Sequence, residues 1–239
     1  MGRAYIVLDT ETADQYARKT DQPEPENSLV YDMGYMVVKD GNVIVERSFA
    51  ISDTFAKHNV MNSAYYAAKL PQYYAGMRMD DTGAWKIATF LEAWQTLTQD
   101  IKANDVRKVW AYNARFDMLA LRNTLETYSN GFVPGYRLLP YGVRFADIWD
   151  YSSNITATKK YVRWCLANGY TTEKGNPSTS AETVYRYLTS DTAFIEDHTA
   201  LSDARIENAI LSAAHRRKAK TRHSMGQGWR DAARTLKTL

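Results

Sequence analysis

The apolar run at residues 5–8 ends in Asp9-Thr10-Glu11, and strand periodicity places Asp9 and Glu11 on the face shared by Tyr5 and Val7. Two carboxylates projecting together from a strand tip repel, and burial raises at least one pKa unless a cation lies between them. A divalent metal is the simplest remedy. A bare Asp-x-Glu is also common by chance beside a surface loop, so the tripeptide alone decides nothing.

A second acid interrupts an apolar stripe. In Tyr112-Asn113-Ala114-Arg115-Phe116-Asp117 a strand ends, Asn113 is placed to cap the following helix, and Asp117 falls on the face shared by Leu121 and Leu125. A helix N-terminus favours a negative group by about 0.3–1 kcal/mol, which makes an ordinary first-turn aspartate an equal reading. A third segment repeats the anomaly: Asp203 precedes Ile206, Ile210 and Ala213 by three, seven and ten residues on a face that should pack inward. His198 lies five residues before Asp203. Inside one helix the two would be about 140° apart, so a histidine serving the same site must stand before the helix begins. A lone histidine there is more often solvated or a cap. Four acids from three segments, each at a strand end or helix start, are better explained by one site at a sheet edge than by separate accidents.

The elements needed to position them follow from periodicity. Apolar runs at 29–38 and 43–51 meet across Lys39-Asp40-Gly41-Asn42, a hairpin signal because glycine takes positive φ at little cost. Residues 85–101 carry Ile87, Phe90, Leu91, Trp94, Leu97 and Ile101 at helical spacing. A strand over 106–112, a helix over 116–128, a short strand over 143–148 and helices over 159–168, 181–189 and 200–217 follow, with Thr179 and Glu182 at capping-box spacing. Residues 13–28 read as a polar surface loop, and the tyrosine-rich stretch 52–83 as partly helical. A hairpin followed by alternating strands and helices predicts an α/β domain, with a mixed central sheet flanked by helices: three antiparallel strands first, then parallel ones.

With 239 residues, 45% hydrophobic and six prolines, the chain suits one domain, assigned to 1–217 with the insertion at 52–83. Residues 218–239 are set apart as a basic C-terminal extension. A single cysteine, Cys165, and an N-terminus without a secretory pattern point to the reducing cytoplasm. No apolar run approaches the roughly 20 residues that span a bilayer, so a soluble protein without a membrane partner is expected. The net charge of +3 does not advertise a polyanion, although Arg216, Arg217, Lys218, Lys220 and Arg222 crowd together.

The motifs Leu8-Asp9-Thr10-Glu11-Thr12, Tyr112-Asn113-Ala114-Arg115-Phe116-Asp117 and His198-Thr199-Ala200-Leu201-Ser202-Asp203-Ala204 resemble, in order, spacing and element type, the DnaQ-like exonuclease superfamily in its DEDDh branch. The resemblance runs over about residues 5–215 and implies a ribonuclease H-like fold. Tyr31-Asp32-Met33-Gly34 and the Asp40-Gly41 hairpin look like the family's second and third strands. Many members follow the first motif with Thr-Gly, whereas Ala13-Asp14 stands here. The resemblance implies a 3′-5′ exonuclease with two Mg²⁺ or Mn²⁺ ions: Asp9 shared between them, Glu11 and Asp203 on the first, Asp117 near the second, and His198 as general base in releasing nucleoside 5′-monophosphates.

The implied partner is nucleic acid with a free 3′ end, single-stranded or mismatched DNA ahead of RNA. A ribonuclease of the same fold and a non-catalytic nucleic-acid-binding module are the alternatives. Thr10, Thr12, Asn113 and Phe116 are candidate substrate contacts, with Phe116 equally suited to the core. Arg115 reads first as a surface residue, and Asp147 as structural. Tyr65, Tyr66, Tyr73 and Tyr74 with Lys57, Lys69 and Arg78 offer a stacking platform, or else pack an added helix onto the domain. A polymerase or other replication partner is compatible with a compact exonuclease; oligomeric state is open.

Overall fold

The computed structural model describes residues 3–16, 24–64, 67–78, 85–129, 137–217 and 225–239. Strand β1 (Tyr5–Asp14) pairs antiparallel with β2 (Ser28–Lys39), which pairs antiparallel with β3 (Asn42–Ile51). Asp40 and Gly41 both take positive φ, 51° and 82°, as the hairpin requires. The insertion is helical where described: α1 (Ser52–Phe55), α2 (His58–Met61), a 3-10 turn at Ala67–Lys69 and α3 (Leu70–Arg78). Then come β4 (Lys86–Ala88), α4 (Phe90–Ala103), β5 (Lys108–Ala111), α5 (Ala114–Tyr128) and β6 (Arg144–Asp147). The remaining helices are α6 (Ile148–Tyr151), α7 (Ser153–Thr156), α8 (Lys159–Ala167), α9 (Ala181–Thr189), α10 (Ala200–Arg216) and α11 (Trp229–Leu236). The six strands lie in the order β4-β3-β2-β1-β5-β6, and β4, β5 and β6 pair parallel with their neighbours. This is the expected mixed sheet. Among the described residues no helix is long and apolar enough to cross a membrane.

Alternation along β1 builds two cores. Ile6 and Leu8 pack with residues of α4 and α5 on one face, while Val7 packs with residues of α8, α9 and α10 on the other. Because Asp9 and Glu11 share the parity of Val7, they point toward the α10 side.

Several expectations are corrected. The start of 85–101 is an edge strand, since residues 86–88 pair with Phe49–Ile51, and the helix begins after Thr89, whose capping box with Glu92 the apolar spacing hid. The loop expected over 13–28 is shorter: after a register shift at Glu11/Thr12, β1 continues to Asp14 opposite Ser28, while residues 17–23 lie outside the described part. The α9 cap is Ser180, whose side chain accepts from the Thr183 amide, not Thr179, and Glu182 pairs instead with Arg186 at 2.9 Å. Asn113 precedes α5 in the left-handed region and makes no side-chain cap bond.

Helix α10 crosses β2 at Gly34, where a Cβ would stand 2.1 Å from the Leu201 nitrogen and 2.3 Å from the Ala200 carbonyl carbon. Those are backbone atoms, so any side chain forces the helix start away from the sheet. Gly34→Ala is expected to cost about 1–3 kcal/mol or more and to lower activity with it, because Asp203 rides on that turn. A melting temperature within 1 °C of the native value would show that the close approach is not required.

Candidate active site

The four carboxylates converge from both faces of the sheet. Asp9 and Glu11 come from the middle of β1, opposite Gly34 and Asp32 of β2, rather than from a strand tip; Asp117 comes from the first turn of α5 and Asp203 from the first turn of α10. Glu11, Asp117 and Asp203 are buried. Burial first, then the fields of Glu207, Asp117, Asp203 and Glu11, push the Asp9 carboxyl well above its ordinary range. Glu11 is likewise raised by burial, then by Asp203 and Asp32. Burial lifts Asp117 to about 7 against the hydrogen bond it accepts from the Thr10 hydroxyl at 2.8 Å. Asp203 is pushed up to about 8 by burial and then Glu196, although it accepts a hydrogen bond from the His198 backbone.

His198 stands two residues before α10, with φ 54°. A left-handed histidine is uncommon and holds the ring outside the helix, as the spacing required. Its Nδ1 lies 3.8 Å from Asp203 Oδ2 and 3.9 Å from Glu196 Oε2. Burial depresses the imidazole pKa below 6.5, so the ring is neutral at pH 7. Ligand atoms of Glu11, His198 and Asp203 lie within 4.8 Å of one another.

The donor set fits a divalent cation. Asp203 Oδ1 is buried without a hydrogen-bond partner among the described residues, and so is Oε2 of Glu207, one helical turn further on. Hard carboxylate oxygens suit Mg²⁺ or Mn²⁺. Glu207 escaped the sequence reading, although its place four residues after Asp203 on the inward face was the available signal.

Raised carboxylates stabilise the fold only while protonated. Their contribution is complete below the unfolded values near 4 and is lost as pH rises through the folded values of about 7 and about 8. The metal-free protein is therefore expected to lose thermal stability from pH 6 to pH 8.5, and millimolar Mn²⁺ to restore more stability at pH 8.5 than at pH 6. A melting temperature flat across that range, or a Mn²⁺ shift independent of pH, contradicts the cluster.

The start of α10 is capped from another element. Thr199 makes no side-chain cap bond; instead the Ala200 amide donates to Asp32 Oδ2 at 2.9 Å, and the Tyr73 hydroxyl donates to the same oxygen at 2.6 Å. Asp32 sits opposite Glu11 on β2, and burial raises it to about 6 against those bonds. Tyr73 is fully buried among Tyr31, Phe55 and Trp85, so it packs the insertion onto the domain and presents no stacking face. Tyr74 is 38% exposed and Lys69 stands 3.9 Å from Asp197; Tyr65, Tyr66 and the Arg78 side chain lie outside the described part.

The candidate substrate contacts are distributed unevenly. Thr10 and Thr12 are buried, with the Thr10 hydroxyl committed to Asp117; Phe116 is half-buried against the core, and Arg115 is exposed. Asp147 ties three segments together: Oδ1 accepts from the amides of Trp149 and Asn113, and Oδ2 from the amide of Gly226.

No protein-family model and no curated protein matches the sequence. Solved structures do. E. coli exonuclease I in complex with a 5cy-dT13 oligonucleotide superposes with TM-score 0.58 at 16% identity over 91% of this chain. The chain spans only 41% of that protein's length. The nuclease domain of 3′hExo, a DEDDh family member, bound to rAMP, matches with TM-score 0.57 at 10% identity, covering 92% of this chain and 96% of that domain. A 3′-exonuclease recognising a histone mRNA stem-loop matches at 0.57 and 9%, over 94% of this chain and 88% of its own. The chain therefore shares the fold of these exonucleases, a mixed sheet of antiparallel and then parallel strands flanked by helices.

Proposed function

We propose that this chain is a metal-dependent 3′-5′ exonuclease acting on single-stranded DNA. The observation that carries it is the gathering of Asp9, Glu11, Asp117 and Asp203 around the central strand β1, with His198 beside Glu11 and Asp203, on a fold shared with exonucleases. Asp9, Glu11, Asp117 and Asp203 would hold two Mg²⁺ or Mn²⁺ ions, which supply charge neutralisation and polarise the scissile phosphate. His198, neutral at pH 7, accepts a proton from the attacking water. The new P–O bond forms as the P–O3′ bond breaks, leaving a nucleoside 5′-monophosphate and a strand one nucleotide shorter with a free 3′ hydroxyl. Thr10 orients Asp117, and Asp32 fixes the turn that carries Asp203. Exonuclease I with bound dT13 supports the choice of DNA; the 3′hExo domain with rAMP makes RNA the competing substrate.

Matched 3′-labelled DNA and RNA 20-mers, titrated with Mg²⁺ and Mn²⁺, test this reading. The expected product is labelled mononucleotide, released faster from DNA. Faster release from RNA reassigns the substrate. Binding without cleavage under either metal would leave a nucleic-acid-binding module in place of an enzyme.

A further inference from the structure

Charge is distributed far more unevenly than the net +3 suggests. Helix α8 exposes Lys159, Lys160 and Arg163, and α11 exposes Arg230, Arg234 and Lys237 at i, i+4 and i+7, a single stripe opposite buried Ala232. Arg216 and Arg217, exposed at the end of α10, join the same end of the molecule through α7: Arg217 donates to the Asn154 carbonyl, and Asn154 Nδ2 donates to the Ala214 carbonyl. Residues 159–163, 216–217 and 229–237 together carry eight Lys or Arg side chains and one carboxylate, Asp231. That surplus exceeds the charge of the whole chain, so the remainder is net acidic. Neutral folding needs no such segregation, and it costs self-repulsion.

The stripe also leads away from the carboxylates. The Gly226 amide donates to Asp147 Oδ2 at 2.9 Å, and the Gln227 amide to Asp150 Oδ1 at 2.8 Å. The other Asp147 oxygen accepts from Asn113, the residue before α5 and its Asp117. Helix α11 thus starts beside the end of β6, at the carboxylate that also holds the residue leading into α5 and whose field reaches Asp117. Its first residue, Trp229, is 47% exposed with the Arg230 guanidinium 5.6 Å from its ring centroid. From there α11 packs along α7 and α8, where the Thr235 hydroxyl donates to the Ala157 carbonyl.

We propose that the exposed stripe of α11, continued by α8 and the last turn of α10, is a track for the nucleic-acid backbone that holds the 5′ part of a strand whose 3′ end lies at the carboxylates. It rests on the nucleic-acid reading above. The track needs a polyanion of some length: α10 alone, at 1.5 Å per residue, separates His198 from Arg216 by about 25 Å, so only a strand of several nucleotides reaches it. Trp229 supplies a stacking face and the cations supply sequence-independent phosphate contacts.

The test compares a 20-mer with a trimer for the native protein, for Arg230→Glu/Arg234→Glu/Lys237→Glu and for the neutral Arg230→Gln/Arg234→Gln/Lys237→Gln. The expected result is a KM for the 20-mer raised about 10-fold or more by reversal and less by neutralisation, with kcat and all trimer kinetics within twofold. The salt dependence of 20-mer affinity should flatten by about two log units per log unit of salt for three lost phosphate contacts. A KM for the 20-mer unchanged in both variants, or equal losses on both lengths, overturns the track. Fluorescence anisotropy of a labelled 20-mer with EDTA reads the same contacts without hydrolysis, so it separates failure of the track from failure of the exonuclease reading. Vesicles containing 30% phosphatidylserine form the opposing arm: reversal that abolishes vesicle binding but leaves 20-mer anisotropy unchanged assigns the face to anionic membrane and refutes the proposal.

Discussion

Asp203→Asn will abolish hydrolysis and at the same time raise the melting temperature of the metal-free protein at pH 8. Both halves come from one cause. The Asp203 carboxyl is buried and pushed up to about 8, by burial first and then by Glu196, Asp197 and Asp32, so its ionised form opposes folding when no cation is present. Asparagine keeps an acceptor for the His198 backbone and removes the charge. The gain should reach at least about 1 kcal/mol, or about 2–4 °C for a chain of this size. The loss of activity should be at least about 10³-fold, because a hard-cation ligand is gone, and Mn²⁺ should stabilise the variant less than the native protein. Asp9→Asn should behave in the same way, since its carboxyl lies in the fields of Glu207, Asp117, Asp203 and Glu11. Near-native turnover in either variant would remove these residues from the metal site; a lowered melting temperature with activity lost would make them structural.

The second large effect belongs to His198. Alanine is a poor probe there, because φ is 54° and a new side chain adds strain of its own. Asparagine tolerates the left-handed region and cannot serve as a base near pH 7. His198→Asn is expected to lower kcat by about 10² to 10⁴ with Mn²⁺ affinity and melting temperature close to native. Burial holds the imidazole pKa below 6.5, so at saturating Mn²⁺ the native rate should climb as pH rises through that value, while the variant should lose that limb. A pH-rate profile of unchanged shape in the variant would refute the role of general base.

Much of this site is legible along the chain, because each part is local. Asp9 and Glu11 share a face by the period of a strand, and Asp117 and Asp203 violate the apolar stripes of helices whose period is fixed at 3.6 residues. The position of His198 outside α10 follows from the same arithmetic. The errors are local contests that distant partners decide. Residues 86–88 have no strand signal of their own and become β4 because Phe49–Ile51 offers a free edge. Thr179 has the capping spacing, yet its hydroxyl accepts from the Trp149 indole and the cap passes to Ser180.

What the sequence by itself determined is the antiparallel start of the sheet with its hairpin at Asp40-Gly41, the longer helices, and four carboxylates in places a core would refuse. Only the tertiary structure decided how they meet. Asp32 caps the Ala200 amide across 168 positions of sequence, Tyr73 holds Asp32 from the insertion, Glu207 joins the field at Asp9, and Gly226 returns to Asp147. Periodicity reports which face of an element is buried, never which other element buries it. Pairings between residues far apart in the chain arise when whole faces dock, and the energy that selects them belongs to the packed sheet and helices rather than to any one segment.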